Sequence, residues 1–211
     1  MAALLCILVF CLGILSMGLQ LVASRVLAPF FGNSIFVWAS LITTFLAAFS
    51  TGSFIGAAIS TRTVATQAKI MMGLMVTATA SLLFGALQSH AVADWLDLRI
   101  EALPTKLITV CLLLYFAPVA ALSALTPICV GLYDRIQRSA GRSSGVLNGV
   151  STMGNIVGVL ATAFVLIPHF GVRYLLQFWW MSSVVIQGAL WFVLFSRYGR
   201  RQWDVALEQI P

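Results

Sequence analysis

Six long apolar runs, separated by short charged segments, constrain this chain more than any other feature of its sequence. Every Asp, Glu and Arg falls outside these runs. Every Lys does so too except Lys69, which is the second residue of the third run. About 20 mostly apolar residues are needed to cross a hydrocarbon core of roughly 30 Å. The runs therefore predict six transmembrane spans, at residues 2–23, 34–60, 68–88, 107–132, 146–168 and 174–196.

The composition agrees with a membrane protein and excludes several other classes. Of the 211 residues, 61% are hydrophobic and 9% are charged, and the mean hydropathy is +1.02. So few charges cannot cover a globule in water, since an average soluble domain is about a quarter charged. A disordered chain, a disulfide scaffold and a soluble nucleic-acid binder are therefore excluded. Because lipid offers no partner to open backbone groups, we expect an all-α integral membrane bundle over residues 1–196, bound to no nucleic acid.

The basic residues are distributed unequally between the two sides of this bundle. One side carries eight Lys and Arg and the other carries four. The positive-inside rule assigns the richer side to the cytoplasm. Both termini are then cytoplasmic, and residues 197–211 form a cytoplasmic tail.

The segment 88–106, between the third and fourth spans, carries a cluster of polar side chains. His90, Asp94, Asp97 and Glu101 occur at helical spacing. This pattern is typical of a short helix that lies on the non-cytoplasmic surface with a solvated acidic face. The alternative is a divalent-cation site, because His and Asp at i and i+4 can share a metal.

Small residues recur at intervals of four in the second and fifth spans. Gly52 and Gly56 mark the second span, and Gly154 and Gly158 mark the fifth. Helices in lipid associate by close packing, which small residues permit. We therefore expect these two helices to be central and tightly packed, through contacts either within the chain or between chains. Their positions, second and fifth of six, also hint at a 3+3 internal repeat.

Amide side chains and prolines are the other notable features of the spans. Amides bond across helices for about 0.5–2 kcal/mol, so we expect structural roles more than ligand contacts for Gln20, Asn33, Asn148, Asn155, Gln177 and Gln187. The absence of Asp, Glu and Arg within the runs argues against a self-contained ion-coupled pump. Pro118 and Pro127 predict a kink in the fourth span, with a lined cavity as the alternative.

The sequence contains no pattern typical of a catalytic, cofactor or metal site. Phosphate-binding loops, nucleophile elbows and zinc motifs are absent. The four cysteines form no CxxC pair, and both histidines lie near span ends. We therefore assign no catalytic, cofactor-binding or metal-binding residue, and we do not expect enzymatic activity from this chain on its own.

Two stretches carry a family resemblance. The first runs from Leu21-Val-Ala-Ser-Arg25 through Pro29-Phe-Phe-Gly32-Asn33 to Trp38, and the second covers residues 141–173. Both resemble the membrane portion of bacterial multi-pass spermidine synthase-like proteins, which fuse a major-facilitator-type transporter to a spermidine synthase. The resemblance implies a bundle similar to a major-facilitator half, in the bacterial inner membrane, and it draws attention to Arg25.

The chain departs from this family in three respects. The family's Rossmann-type aminopropyltransferase domain is missing, so none of its catalytic residues can be carried over. Gln20 stands where the family usually has Glu, and an amide supplies no charge. Ser60-Thr61-Arg62 replaces a pattern in which an acidic residue precedes the arginine, which argues against a salt-bridged gate.

The resemblance leads to two functional expectations. The first is a non-enzymatic membrane subunit that anchors or serves a separate spermidine synthase-like protein or a larger membrane complex. Its docking surface would be the cytoplasmic arginines Arg135, Arg138 and Arg142, whose alternative role is contact with lipid headgroups. The second is a small transporter of polyamines or other organic cations, acting as an oligomer. Both expectations place the chain in contact with lipid and with other protein subunits or further copies of itself.

Overall fold

The computed structural model describes residues 2–195, which form six helices joined by short connections. The tail expected at 197–211 lies outside the described residues, and no strand occurs within them. The helices are α1 (Ala2–Phe31), α2 (Ile35–Ser60), α3 (Val64–Asp97), α4 (Leu103–Gln137), α5 (Ala140–His169) and α6 (Val172–Phe195).

The helices have the length and surface that a bilayer requires. α1 to α5 are each long and apolar enough to cross a membrane, and α6 has 24 residues. Large apolar side chains cover the outer faces, and Phe54, Leu87 and Phe164 are each more than two-thirds exposed. Acyl chains solvate such a surface, whereas water does not. The prediction of an all-α membrane bundle is confirmed at this level.

The helices extend beyond the apolar runs, most clearly in α3. This helix has 34 residues and is about 51 Å long, against a hydrocarbon core of roughly 30 Å. His90, Asp94 and Asp97 belong to its last turns. The prediction of a separate surface helix within residues 88–106 was therefore wrong, because the first part of this segment continues α3. Hydropathy marks the part of a helix that lies in hydrocarbon, whereas backbone hydrogen bonds continue the helix into the headgroups.

An ion pair joins the end of α3 to the start of α4. The Nζ atom of Lys106 lies 2.5 Å from Oδ1 of Asp97 and 3.3 Å from its carbonyl oxygen. The Lys106 side chain is 11% exposed and that of Asp97 is 65% exposed. The largely buried ammonium group therefore has a solvated carboxylate as its partner, and the pair fixes the connection between the two helices.

Two wide helical turns occur, and each is followed by a proline. Leu112–Phe116 in α4 and Thr162–Leu166 in α5 form π-helical turns, just before Pro118 and Pro168. Proline lacks an amide hydrogen, and its ring clashes with the carbonyl group four residues earlier. A wider turn accommodates this clash, so α4 continues past Pro118 as one helix of 35 residues.

Gly52 and Gly56 bring α2 into direct backbone contact with α4. A Cβ atom at Gly52 would lie 2.2 Å from the carbonyl oxygen of Ala120, and one at Gly56 would lie 2.2 Å from that of Ala124. No side chain fits at such distances. Glycines four residues apart allow this approach, and the contact lies within the chain.

Gly154 and Gly158 make the corresponding contact between α5 and α1. A Cβ atom at Gly154 would lie 2.2 Å from the carbonyl oxygen of Phe10, and one at Gly158 would lie 2.6 Å from that of Ile14. If α1, α2 and α3 are matched in order with α4, α5 and α6, the contact between α2 and α4 corresponds to the contact between α5 and α1. The helix pairing thus has the pattern expected of a 3+3 repeat.

α1 and α4 are the central helices, not α2 and α5 as expected. In the most apolar stretch of each helix, the buried share is 50% for α1 and 61% for α4, but 39% for α2 and 17% for α5. The expectation was wrong because glycines bring only one narrow face of a helix into contact. The other faces of α2 and α5 carry exposed apolar side chains such as Ile55 and Ile156.

α6 packs on the outer side of the bundle, against α3 and α1. Its main anchor is Trp179, whose indole Nε1 donates a hydrogen bond of 2.8 Å to the carbonyl oxygen of Leu15. The indole ring fills the space over Gly18, where a Cβ atom would meet Cζ2 of Trp179. On the α3 side, the hydroxyl oxygens of Thr79 and Ser183 are 2.8 Å apart.

Candidate functional site

A cleft lies between the α2–α4 pair and the α5–α1 pair. Its outer part has a volume of about 570 Å³ and is lined by α2, α4 and α5. Its inner part has a volume of about 190 Å³ and also reaches α1. Ser53 and Thr126 line both parts, so the two parts adjoin, and we describe them together as the cleft.

α5 presents a stripe of polar side chains to this cleft. Four of its residues line the cleft at helical spacing, and these are Ser144, Asn148, Ser151 and Asn155. Residues at i, i+4, i+7 and i+11 share one face of a helix. The Asn148 side chain donates a hydrogen bond of 3.1 Å to the Ser144 hydroxyl, which links neighbouring members of the stripe.

α4 adds a proline and two hydroxyl groups to the opposite wall. Pro127 lines the outer part of the cleft, Ser123 the inner part, and Thr126 both. Because Pro127 has no amide hydrogen, the Ser123 carbonyl group lacks its usual helical donor. A lined cavity had been the alternative to a kink in this span, and at Pro127 the structure has such a cavity.

The cleft extends from one end of the bundle to about its middle. Asp134 and Ala140, at the adjoining ends of α4 and α5, line the outer part. Ser123, which lines the inner part, is eleven residues from Asp134, or about 17 Å along a helix. That distance is about half of a hydrocarbon core of roughly 30 Å.

Apolar and aromatic side chains form the inner end of the cleft. Leu12, Met17, Phe49 and Leu122 line it. The Phe49 ring contacts Phe45 at a centroid distance of 6.3 Å, and Phe45 lies 6.2 Å from the ring of Tyr115. Tyr115 belongs to the π-helical turn of α4, so an irregular helical turn lies next to this aromatic cluster.

Hydrogen bonds to backbone carbonyl groups hold the α2–α3 connection at the cleft mouth. Nη2 of Arg135 donates to the carbonyl oxygen of Arg62 at 2.7 Å. Nε2 of the fully buried Gln67 donates to the carbonyl oxygens of Ser60 and Arg62, at 2.6 and 2.8 Å. These bonds join α2, α3 and α4 without an acidic residue. Arg135, expected as a docking residue, thus uses its guanidinium group within the chain.

Asp134 and Arg142 carry opposite charges at the same end of the bundle. The Ser143 hydroxyl donates to Oδ1 of Asp134 at 3.3 Å. Between residues 2 and 195, no Lys or Arg pairs with the Asp134 carboxylate. Arg142 is exposed on the first turn of α5, and Arg138 is exposed where α4 ends with a left-handed residue, at φ 53°.

The polar positions predicted from the sequence divide into two groups. Asn148 and Asn155 line the cleft, whereas Gln20, Arg25 and Asn33 are not among its lining residues. Arg25 and Asn33 are exposed near the end of α1, at the opposite end of the bundle, and Gln20 is half-buried in α1.

The polar cluster at the end of α3 forms other contacts. The imidazole ring of His90 packs edge-on against Phe30, with ring centroids 5.1 Å apart, and Asp97 pairs with Lys106. Over the described part of the chain, no three His, Cys, Asp or Glu residues come together as metal ligands would.

Several residues that line the cleft were not singled out in the sequence. Ser144 and Ser151 could have been found, because together with Asn148 and Asn155 they complete a helical polar stripe. Ser53 and Thr126 carry no such signal. They line the cleft only because α2 and α4 cross closely at the glycines.

The cleft is the feature on which a functional assignment of this chain depends. It reaches from one end of the bundle to about its middle, lies between two pairs of helices, and has hydroxyl and amide groups in its walls. Neither models of protein families, nor curated proteins, nor solved structures give a match to this chain.

Proposed function

We propose that this chain is a membrane transport protein that binds a small polar solute in the cleft. One observation carries the proposal: hydroxyl and amide side chains line the cleft to about the middle of the bilayer. Polar groups at that depth are costly unless they are hydrogen-bonded, and hydrogen-bonding atoms without a partner in the protein need water or a ligand. A water-filled cleft provides that contact, and a solute that enters the cleft replaces the water.

The lining favours a neutral solute that forms many hydrogen bonds. Among the described residues that line the two parts of the cleft, Asp134 at the mouth is the one ionisable residue. A polyamine carries several positive charges, and this lining offers it a single carboxylate. We therefore favour polyols and amides over polyamines as substrates. We also favour facilitated diffusion over transport that is coupled to an ion gradient.

The proposal includes an orientation and an architecture. Arg62, Lys69, Arg135 and Arg142 lie at the end of the bundle where the cleft opens, and Arg99 and Lys106 lie at the other. By the positive-inside rule the cleft opens to the cytoplasm and the N-terminus is cytoplasmic. The pairing of α2 with α4 and of α5 with α1 supports a half-bundle of the major-facilitator type.

Passage across the membrane requires the inner end of the cleft to open. Phe49, which lines this end of the cleft, forms an aromatic cluster with Phe45 and Tyr115, and the π-helical turn at Tyr115 lies beside it. π-Turns frequently mark functional positions in helices. We infer that movement of α4 at this turn opens the path toward the other side.

Cysteine labelling tests whether the cleft contains water. We expect Asn148→Cys and Ser53→Cys, in a chain whose four native cysteines are replaced by alanine, to react with a charged, membrane-impermeant thiol reagent. The reaction should be at least about tenfold faster than at lipid-facing sites, because only the thiolate reacts and lipid suppresses its formation. The measurement is the labelling rate in membrane vesicles of known orientation.

Each of these variants has a matched control on the same helix. Met153→Cys on α5 and Ile55→Cys on α2 lie on exposed apolar faces and should remain unlabelled. Equal rates at Asn148→Cys and Met153→Cys would contradict a water-filled cleft. Labelling of Asn148→Cys from the periplasmic side alone would contradict the orientation.

Uptake into liposomes tests transport itself. Liposomes that contain the purified chain should take up a radiolabelled neutral polyol faster than protein-free liposomes do. Thr126→Trp should abolish the difference, because Thr126 lines both parts of the cleft and the indole would obstruct the passage between them. Spermidine is the comparison solute. Faster uptake of spermidine than of the polyol would overturn our substrate order, and uptake of neither would overturn the transport proposal.

A second candidate is a membrane subunit that anchors a separate spermidine synthase-like protein or a larger complex. The observation in its favour is the exposure of Arg138 and Arg142 at the end where the cleft opens. Arg135 and Arg138 contribute less, because the Arg135 guanidinium group binds the Arg62 carbonyl oxygen and Arg138 also has an interaction of its own within the chain. Exposed arginines at this position equally suit lipid headgroups.

Charge reversal tests this docking surface. If a partner binds there, Arg138→Glu with Arg142→Glu should release a stoichiometric second chain from the complex purified in mild detergent. The complex mass and the identity of the bound chain are the measurements. Unchanged co-purification, or purification of this chain without a Rossmann-type partner, would count against the anchoring role.

A further inference from the structure

We infer that a second copy of this chain covers the cleft along its open side, with the face formed by α2 and α5 as the interface. This inference concerns the protein surface beside the cleft and extends the proposed function. Three features support it: the direction in which the cleft opens, glycines whose Cβ atoms would touch no described residue, and two charges that form no ion pair within residues 2–195.

The cleft opens sideways as well as toward one end. α4 and α1 form its base, α2 packs on α4, and α5 packs on α1, so α2 and α5 are the two edges. Ser53 on one edge and Asn148 on the other are exposed. In a single copy this open side of the cleft adjoins acyl chains, which offer no hydrogen bond to a polar group. A protein surface placed over both edges removes this contact with lipid.

The α5 edge carries a second set of spaced glycines, distinct from the set that contacts α1. Gly141, Gly145 and Gly149 occur every four residues, and a Cβ atom at any of them would meet no atom of residues 2–195 within 4 Å. By contrast, Cβ atoms at Gly154 and Gly158 would collide with the backbone of α1. One part of α5 thus uses its glycines within the chain, and the other part has the same spacing with none of the described helices against it.

The charges at the cleft mouth favour a second copy as the covering partner. The Asp134 carboxylate pairs with no Lys or Arg among residues 2–195. Arg142 is exposed, and no ion pair joins it to another described residue. In a two-fold symmetric interface, residue i contacts residue j and j contacts i. Asp134 of each copy can then pair with the partner's Arg142, which forms two ion pairs at once.

The distribution of basic residues is compatible with this symmetry. A two-fold axis along the membrane normal keeps the arginine-rich ends of both copies on one side of the bilayer, as the positive-inside rule requires. Such an axis also places the two clefts opposite each other. The covered space then lies between two polar walls, away from lipid.

Disulfide cross-linking tests the assigned face. In the chain whose four native cysteines are replaced by alanine, Gly145→Cys and Gly149→Cys should each form a covalent dimer on mild oxidation in native membranes. Val157→Cys, on the same helix and 43% exposed, is the control and should remain monomeric, because it lies about 80° and 120° around the helix from Gly149 and Gly145. Equal cross-linking at all three positions, or at Val157→Cys alone, would overturn the assignment.

A charge exchange tests the occupant of the face. Asp134→Arg and Arg142→Asp should each lower the dimer fraction at least about fivefold, measured as intact mass in mild detergent. The double variant should restore the dimer, because it exchanges the signs of both pairs. Failure of the double variant to restore the dimer, a monomeric wild-type chain, or a different chain bound at this face would each overturn the inference.

This outcome can be separated from that of the proposed function. Labelling of Asn148→Cys by a water-soluble reagent reports the cleft itself, whereas cross-linking at Gly145→Cys reports the partner copy. A water-accessible cleft in a monomeric chain would reject the dimer and retain the transport proposal. A dimer in which Asn148→Cys does not react would reject the transport proposal and retain the dimer.

Discussion

Replacing Gly56 by leucine should lower the free energy of unfolding by about 3 kcal/mol, at the upper end of the range for overpacked sites. The new Cβ atom would lie 2.2 Å from the carbonyl oxygen of Ala124. That oxygen belongs to a helix backbone, which cannot turn aside as a flexible side chain can. We expect α2 to separate from α4, with a fall in Tm of about 6–12 °C for a chain of this length.

Gly73→Leu is the matched control for this variant. A Cβ atom at Gly73, on α3, meets no other atom within 4 Å, so the leucine faces lipid at little cost. Thermal unfolding of both variants in mild detergent gives the comparison. A Gly56→Leu chain as stable as Gly73→Leu would show that α2 and α4 are not in backbone contact.

Trp179→Ala should have an effect of similar size on a different part of the bundle. The side chain is 1% exposed, its Nε1 bonds to the Leu15 carbonyl oxygen, and its ring covers Gly18. Truncating a buried tryptophan costs about 3–5 kcal/mol in soluble proteins. We expect about 3 kcal/mol here, because lipid chains replace part of the lost packing.

The neighbouring residue provides the control for this second variant. Phe178 is 48% exposed, so Phe178→Ala should change the unfolding free energy by less than about 1 kcal/mol. Restoring an aromatic ring without the indole donor, in Trp179→Phe, should recover most of the loss and leave a deficit of about 1 kcal/mol for the hydrogen bond. Equal destabilisation by Phe178→Ala and Trp179→Ala would contradict the placement of α6.

The sequence predicted the glycine contacts better than it predicted the positions of the helices that make them. The spacing of Gly52 and Gly56 indicated a close approach without indicating a partner. Only the fold identifies α4 as that partner and gives α4 the central position, because burial depends on how many neighbours surround a helix. The glycine spacing describes one face and contains no information on the others.

The cleft shows the same division between local pattern and tertiary arrangement. The α5 stripe of Ser144, Asn148, Ser151 and Asn155 is visible in the sequence as a helical period. The contributions of Ser53 and Thr126 are not visible, since they depend on the crossing of α2 with α4. Arg135 was expected to be available for docking, and its bond to the Arg62 carbonyl oxygen arises from a chain segment 73 residues away.

The sequence by itself determined that this chain is a bundle of apolar helices suited to a membrane, because hydropathy and backbone hydrogen bonding act locally along each segment. It also determined where close helix contacts can form, since glycine spacing is a property of a single helix. Only the tertiary structure decided which helices pair, which lie at the centre, and that a polar cleft remains between the pairs. Those features depend on contacts between residues that are distant in the chain, and no local pattern specifies them.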